Sequence, residues 1–357
     1  MKKSFLFGFA AAVALASCTT NEDVLQVSEQ RDLAFGTFVD KATKGAVGSL
    51  EFQNSTFGVW GYYVAGDDFT EPKSVFGDGI TKVTRGEAQG SWTYSGVQKW
   101  IPGKNYRFHA YAPDDLKTGT AACDAANVTI SGFTVQGTVT DGVMPYSPAG
   151  HVDLMVAQRY DRDIRTAFDN SKIGLTFKHI LTNVNLVFNT TSKYQVTLHD
   201  VKLNGIKYAG SAACVPATDG VTSTWTSAGN AISFAGTFDP ANKLVNDGVT
   251  EDLPNKIMQN FTAMADMLMI PQAFSEEAPM SLYVKYQVGG KGEMGADYYE
   301  RTIKLSEAKD AWTPGKKITY NVTITTGSGD GSNYDIIFGE TTTTDWVKET
   351  PGMDVPE

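Results

Sequence analysis

Cysteine, histidine and long apolar runs are the scarce features of this 357-residue sequence. Its three cysteines are too few for a disulfide framework, because small disulfide-dependent domains are far richer in them. Cys123 and Cys214 each lie in a small, polar segment expected to be exposed, and both are expected to stay free thiols. The four histidines, His109, His151, His179 and His199, are scattered without metal-ligand spacing. No Gly-x-Ser-x-Gly elbow, His-Glu-x-x-His pair or phosphate loop occurs. Asp161-Arg162-Asp163 and Asp330-x-Ser332 lack the ligand number that calcium requires. The expectation is therefore no enzyme, no metal and no cofactor. Basic excess is missing too: 30 Lys and Arg stand against 40 Asp and Glu, a net charge of −10, which argues against a nucleic-acid partner. After residue 16 no run is long and apolar enough to span a membrane as a helix.

What is present begins at the N-terminus. Lys2 and Lys3 precede an uncharged apolar run from Phe5 to Ala16. That pattern is a secretory signal, too short to cross a bilayer. Leu15-Ala16-Ser17-Cys18 closes it and resembles a bacterial lipobox, in which the cysteine sulfur takes lipid and becomes the mature N-terminus. Lipidation of Cys18 would anchor the chain without spanning the membrane. Residues 1–17 are thus expected to be a lipoprotein signal peptide and 18–31 a tether, since Thr19 to Gln30 shows no apolar periodicity. Glu22-Asp23 behind the cysteine resembles the surface-export signal of Bacteroidetes lipoproteins.

The remainder reads as β-structure, with 35 Gly, 15 Tyr and 19 Phe among abundant Thr and Val. Leu33, Phe35 and Val39 share one parity of a first strand. The small polar segment Asp40-Lys41-Ala42-Thr43-Lys44-Gly45 follows, of the kind proteases cut. Phe57 to Val64 is aromatic on both parities, as in a central strand covered on both faces. Val64 to Ser91 reads as a long loop with at most a short hairpin. Trp100-Ile101-Pro102-Gly103-Lys104 is a Pro-Gly turn leading into Tyr106, Phe108 and Ala110. The unit recurs as Trp312-Thr313-Pro314-Gly315-Lys316 before Ile318, Tyr320, Val322 and Ile324, in the same apolar phase. Both tryptophans are expected to pack at their turns. Leu154-Met155-Val156-Ala157-Gln158 is likewise echoed by Leu268-Met269-Ile270-Pro271-Gln272. The echoes run in opposite order, so two β domains share local solutions without a demonstrated tandem duplication.

Leu175, Phe177, His179 and Leu181 alternate cleanly, whereas Val184, Leu186 and Phe188 take the opposite parity. That slip predicts a β-bulge or tight turn near Thr182-Asn183. It also makes His179 a buried, hydrogen-bonded sheet residue. Asn189 to Lys193 turns polar, which gives an N-terminal domain over 32–190 and a C-terminal domain over 191–347. Further strands are expected at 195–203, 231–238, 264–271 and 281–288. Gly327 to Ser332 reads as a flexible linker before Tyr334, Ile336 and Phe338, then Thr341 to Thr344 and Trp346. Residues 348–357 are expected to be a tail.

In combination these segments resemble the fimbrillin family, the subunits of type V pili. The resembling residues are Phe108-His109-Ala110-Tyr111-Ala112-Pro113, Leu175-Thr176-Phe177-Lys178-His179, Leu268-Met269-Ile270-Pro271-Gln272, Trp312-Thr313-Pro314-Gly315-Lys316 and Trp346, in that order behind the lipobox. The resemblance implies an all-β chain of two tandem β-sandwich domains of transthyretin-like, Greek-key type. It also implies export as a lipoprotein and assembly with other pilus subunits by strand exchange after proteolysis. A trypsin-like protease cuts such subunits after a basic residue, usually arginine, and here only Lys41 and Lys44 are offered. The displaced strand would carry Leu33, Phe35 and Val39. The donor would be the strand within 333–347 that carries Tyr334, Ile336, Phe338 and Trp346. The implied location is the cell surface, on the outer membrane or in a fimbrium, facing host or bacterial receptors. A second class, a surface lipoprotein capturing glycans on exposed aromatics, is raised by the six tryptophans.

Overall fold

A computed structural model describes residues 32–39, 56–77, 79–87, 91–135, 137–146, 151–161, 172–190, 195–217, 220–236, 243–244, 261–277, 279–289, 298–308, 311–326 and 334–346. From the N-terminal side the strands are β1 (Phe35–Val39), β2 (Thr56–Val64), β3 (Lys73–Ser74), β4 (Thr81–Arg85), β5 (Trp92–Tyr94) and β6 (Asn105–Ala112). Next come β7 (Thr120–Cys123), β8 (Val128–Thr134), β9 (Val143–Pro145), β10 (Met155–Asp161), β11 (Ile173–His179) and β12 (Thr182–Thr190). They are followed by β13 (Gln195–Ala217), β14 (Gly220–Ala235), β15 (Lys243–Leu244), β16 (Phe261–Met269), β17 (Gln272–Ala273) and β18 (Ser281–Gly289). β19 (Tyr298–Lys304), β20 (Ala311–Trp312), β21 (Lys316–Thr326), β22 (Tyr334–Phe338) and β23 (Thr342–Asp345) complete the set. The described residues contain no α-helix, and their one helical turn is a 3-10 turn at Leu305–Glu307. The chain is an all-β sandwich protein.

The first sheet runs β1-β11-β10-β6-β2-β4-β5, with β3 against β2. Its two ends meet. Leu33 N–H donates to Gln98 O at 2.8 Å, and Tyr94 Oη donates to Leu33 O at 2.9 Å. The sheet therefore curls around a core of its own, in which Phe35, Phe57, Val59, Phe108 and Phe177 are buried. The alternate side chains Trp60 and Tyr111 face a second core. This is the physical content of a strand aromatic on both parities. The stretch from Val64 to Ser91 carries β3 and β4, and β4 pairs with β2, so it is more ordered than a loop. Gly61 makes room there. A Cβ on it would lie 2.8 Å from Phe76 Cε2 and 2.9 Å from Val75 Cβ.

The second sheet runs β16-β12-β21-β22 with β23 also on β21, and the third runs β19-β18-β13-β14-β9 with β7, β8 and β15 attached. Phe188, Ile318, Tyr320 and Val322 of one face Leu198, Val201, Leu282 and Tyr286 of the other across a shared core. Gly103 and Gly315 both adopt positive φ, +71° and +68°, the conformation a type II Pro-Gly turn requires. Trp100 packs edge-on to Tyr106 at 4.8 Å. Trp312 is buried and its Nε1 donates to Tyr320 Oη at 3.0 Å.

The parity slip has a larger cause than a bulge. β11 ends at His179 in the first sheet and β12 begins at Thr182 in the second. Ile180 and Leu181, both buried, carry the chain across. β12 lies on the N-terminal side of the boundary expected at 190/191, yet it pairs with β16 and β21. β7 and β8 likewise join the third sheet through β13.

Both cysteine segments are exposed at alternate positions, Ala122 and Asp124 around one thiol and Ala213 and Val215 around the other, but the thiols lie on the covered face: Cys214 is buried and Cys123 half-buried, and both are free. Val128 is the register partner of each, with Cys123 on one side and Cys214 on the other. Two strand spacings separate their Cα atoms by about 9–10 Å, beyond the roughly 7 Å a disulfide tolerates. Burial pushes the Cys123 thiol up to about 11 and the Cys214 thiol up to about 12. At pH 8 an aromatic disulfide reagent is expected to label neither until denaturant is added. Prompt labelling of both thiols in the native protein would contradict this packing.

Candidate functional site

The strand expected to be displaced is seated by aromatic packing. Leu33 and Phe35 are each 1% exposed. The Phe35 ring lies edge-on to Phe57 at 5.9 Å, Tyr94 at 5.5 Å and Phe108 at 6.1 Å, with Phe76 tilted at 6.3 Å. β1 runs parallel to β11, from Phe35↔Ile173 to Val39↔Phe177, which includes Val39 in the ladder. Ile173 N–H donates to Ala34 O at 2.7 Å. Among the described residues, β10 pairs with β11 only at Met155↔His179 and Val156↔Lys178. Residues 173–177 therefore have β1 as their one strand partner there. Burial of Leu33 and Phe35 contributes about 1.5–3 kcal/mol each. Without β1, an apolar groove and an unpaired strand would be left. Lys41, Lys44 and Cys18 lie outside the described residues.

The C-terminal candidates form an edge. β22 pairs antiparallel with the end of β21, Val322↔Phe338 to Thr326↔Tyr334. β23 pairs with its beginning, Lys316↔Asp345 to Thr319↔Thr342. The β22–β23 segment carries one residue more than the stretch of β21 it faces, which is a bulge at 339–341. Asn321 fastens it: its backbone O accepts from Gly339 N–H at 2.7 Å, and its side-chain amide donates to Glu340 O at 2.6 Å. Packing along the edge is shallow. Ile336 is buried and Phe338 half-buried, whereas Ile337 is 48% exposed. Leu33 and Phe35 sit in the first core, while Ile336 and Trp346 belong to the second. The two candidate strands are thus held in separate sheets.

One group bridges them. Trp346 stacks on His179 with ring centroids 3.9 Å apart and planes 21° apart. His179 Nδ1–H donates to Asp153 Oδ1 at 2.7 Å, as expected of a hydrogen-bonded sheet histidine. The Trp346 contact was not legible, because it joins residues remote in sequence. His179 Nε2 is buried without a hydrogen-bond partner among the described residues. A cavity of about 300 Å3 opens beside the stack, lined in part by Lys178, Thr222, Lys316 and Asp345. Trp60, Trp312 and Trp346 are buried, and Trp92, Trp100 and Trp225 are half-buried.

Truncating Phe35 to Ala is expected to lower unfolding free energy by about 3–5 kcal/mol, the usual cost of an emptied aromatic site. Urea denaturation checks this, and a loss below about 1 kcal/mol would mean that the seat does not depend on the ring.

Comparison with known proteins agrees with this architecture. A candidate cell adhesion protein from Bacteroides ovatus superposes with a TM-score of 0.50 at 16% identity, over 90% of this chain and 99% of that one. A candidate cell adhesion protein from Bacteroides uniformis gives 0.47 at 16% identity, over 88% and 99%. The fimbrial anchor protein Mfa2 from Porphyromonas gingivalis gives 0.39 at 10% identity, over 89% and 98%. The first of these shows a shared fold. No curated protein matches. A family model described as fimbrillin-like matches residues 43–346, most of the sequence, and the chain belongs to the fimbrillin-like family.

Proposed function

We propose that this chain is a structural subunit or accessory adhesin of a cell-surface pilus. It is exported as a lipoprotein through Cys18 and assembled by strand exchange, without catalysing a reaction. The observation that carries the reading is the seat of β1. A short strand, preceded by a signal and tether and followed by the Lys41–Lys44 segment, fills an aromatic groove and supplies residues 173–177 with their strand partner. A trypsin-like protease cutting after Lys41 or Lys44 would separate β1 from the body. The groove and unpaired strand left behind are what an incoming extended segment can satisfy by β-augmentation.

The donor in this reading is the Tyr334–Trp346 segment of a neighbouring subunit. Three features support it. The segment is an edge, hydrogen-bonded to β21, and Gly327 to Ser332 before it has the composition of a linker. It also offers apolar residues at alternate positions, Ile336 and Phe338, as Leu33 and Phe35 do just before β1 and at its start. The partners are then other pilus subunits, the outer membrane through the lipid on Cys18, a processing protease and a surface receptor.

Incubation with a trypsin-like protease is expected to give one discrete cut within 41–45, followed by a ladder of oligomers. Lys41→Gln with Lys44→Gln should abolish both. Clean cleavage without assembly, or assembly of the uncut double variant, would contradict the proposal. Deletion of residues 333–357 should leave cleavage intact and stop polymer growth. Unchanged polymerisation would remove that segment from the mechanism.

A further inference from the structure

We propose that His179, fixed by Asp153 and stacked on Trp346, is a latch that holds the C-terminal edge strand in its own sheet until β1 has left. The inference rests on the reading of Tyr334–Trp346 as the donor, and it concerns what keeps that donor at home. Most of the segment is loosely packed, with Ile337 largely exposed and Asp335 on the surface. Its C-terminal end is different. Trp346 is 7% exposed, its N–H donates to Gly315 O at 2.9 Å, and its ring lies flat on His179. Gly315 N–H donates to Leu181 O at 2.8 Å, so the Pro314-Gly315 turn is docked on the crossing between sheets. Lys316 also pairs with Asp345 beside it.

The imidazole is held from the other side. Its Nδ1–H donates to the Asp153 carboxylate at 2.7 Å, and its side chain is only 3% exposed. A hydrogen bond to a carboxylate is roughly twice as strong as a neutral one, and ring stacking adds to what burial alone contributes. The latch therefore joins Asp153 and β11 of the first sheet to the end of the outermost strand of the second.

β11 makes this contact sensitive to β1. Residues 173–177 pair with β1, and His179 follows two positions later on the same strand. Among the described residues, β11 pairs with β10 only at Lys178 and His179. Removing β1 strips residues 173–177 of their strand partner and leaves His179 at the end of a strand hydrogen-bonded only at its far end, through two register positions with β10 and Ile180 N–H to Leu154 O, among the described residues. Trp346 then loses a fixed surface to stack on. Cutting off β1 would free the donor of the same subunit while opening its groove. Uncut subunits would keep both closed, and premature polymerisation would be suppressed.

Hydrogen–deuterium exchange on the full chain in its monomeric, uncut form tests the latch. His179→Leu and Asp153→Ala are expected to speed exchange in 334–346 by about tenfold while leaving β16, at the opposite edge of the same sheet, unchanged. Asp153→Asn, which keeps an acceptor for Nδ1–H, should restore slow exchange. Should His179→Leu fail to fold, Asp153→Ala carries the same readout with the ring retained. Proteolytic removal of β1 from the unsubstituted chain should produce the same acceleration, and none further in His179→Leu. Unchanged exchange in both variants, or equal acceleration in β16, overturns the latch. Polymerisation of the chain lacking 333–357 would instead overturn the donor reading, and the exchange result in monomers would stand apart from it.

Discussion

The parallel pairing of β1 with β11 is the contact on which the first sheet depends. Residues 173–177 have no other strand partner among the described residues. The aromatic cage of Phe57, Phe76, Tyr94 and Phe108 closes on Phe35 of β1. Hydrogen bonding and burial thus converge on one short segment. A buried phenylalanine and leucine together contribute several kcal/mol, a large share of the net stability of an ordinary domain. Without the strand, the same domain would be left with an open apolar groove and unpaired backbone groups. Edge strands are commonly protected because they invite such pairing; here β1 covers residues 173–177 of β11.

The second half is arranged in the complementary way. Its C-terminal segment lies along β21 as an outer strand, interrupted by a bulge and fastened chiefly at Asn321 and at Trp346. The shared core of the second and third sheets is built from Phe188, Tyr320, Leu282 and Tyr286, and this edge adds Ile336 and Trp346 at its margin. Detaching the segment therefore leaves most of that core intact. One half presents a deep seat with a strand in it, and the other an edge strand with shallow packing. Between them stands His179, in the first sheet by its backbone and in the second core's neighbourhood through Trp346.

Much of this was legible in the sequence, and the failures have physical reasons. Strict alternation located β11 and β21, and aromatics on both parities marked β2 as a strand between two cores. The repeated Trp-x-Pro-Gly-Lys unit foretold two positive-φ turns at Gly103 and Gly315. The opposite parities of β11 and β12 were visible, but period-2 patterns report a change of face and not its cause. A crossing between sheets at Ile180-Leu181 therefore resembled a bulge. β13 and β14 run to 23 and 16 residues, well beyond the strands expected, because their outer halves carry Ser, Thr, Ala and Gly. Phe76 and Tyr94, half of the cage around Phe35, lie in or beside a stretch whose glycine, aspartate and lysine content reads as loop. Parallel pairing of β1 with a strand over a hundred residues later leaves no local signal, and neither does the stacking of Trp346 on His179.

The central claim is that β1 occupies a place another subunit takes over, and the most direct measurement is the N-terminal peptide of the assembled protein. Mass spectrometry of polymer sheared from the cell surface should find subunits beginning at Ala42 or Gly45, with Leu33 to Val39 absent. Polymer whose subunits still carry Leu33, Phe35 and Val39 behind a lipidated Cys18 would contradict the account.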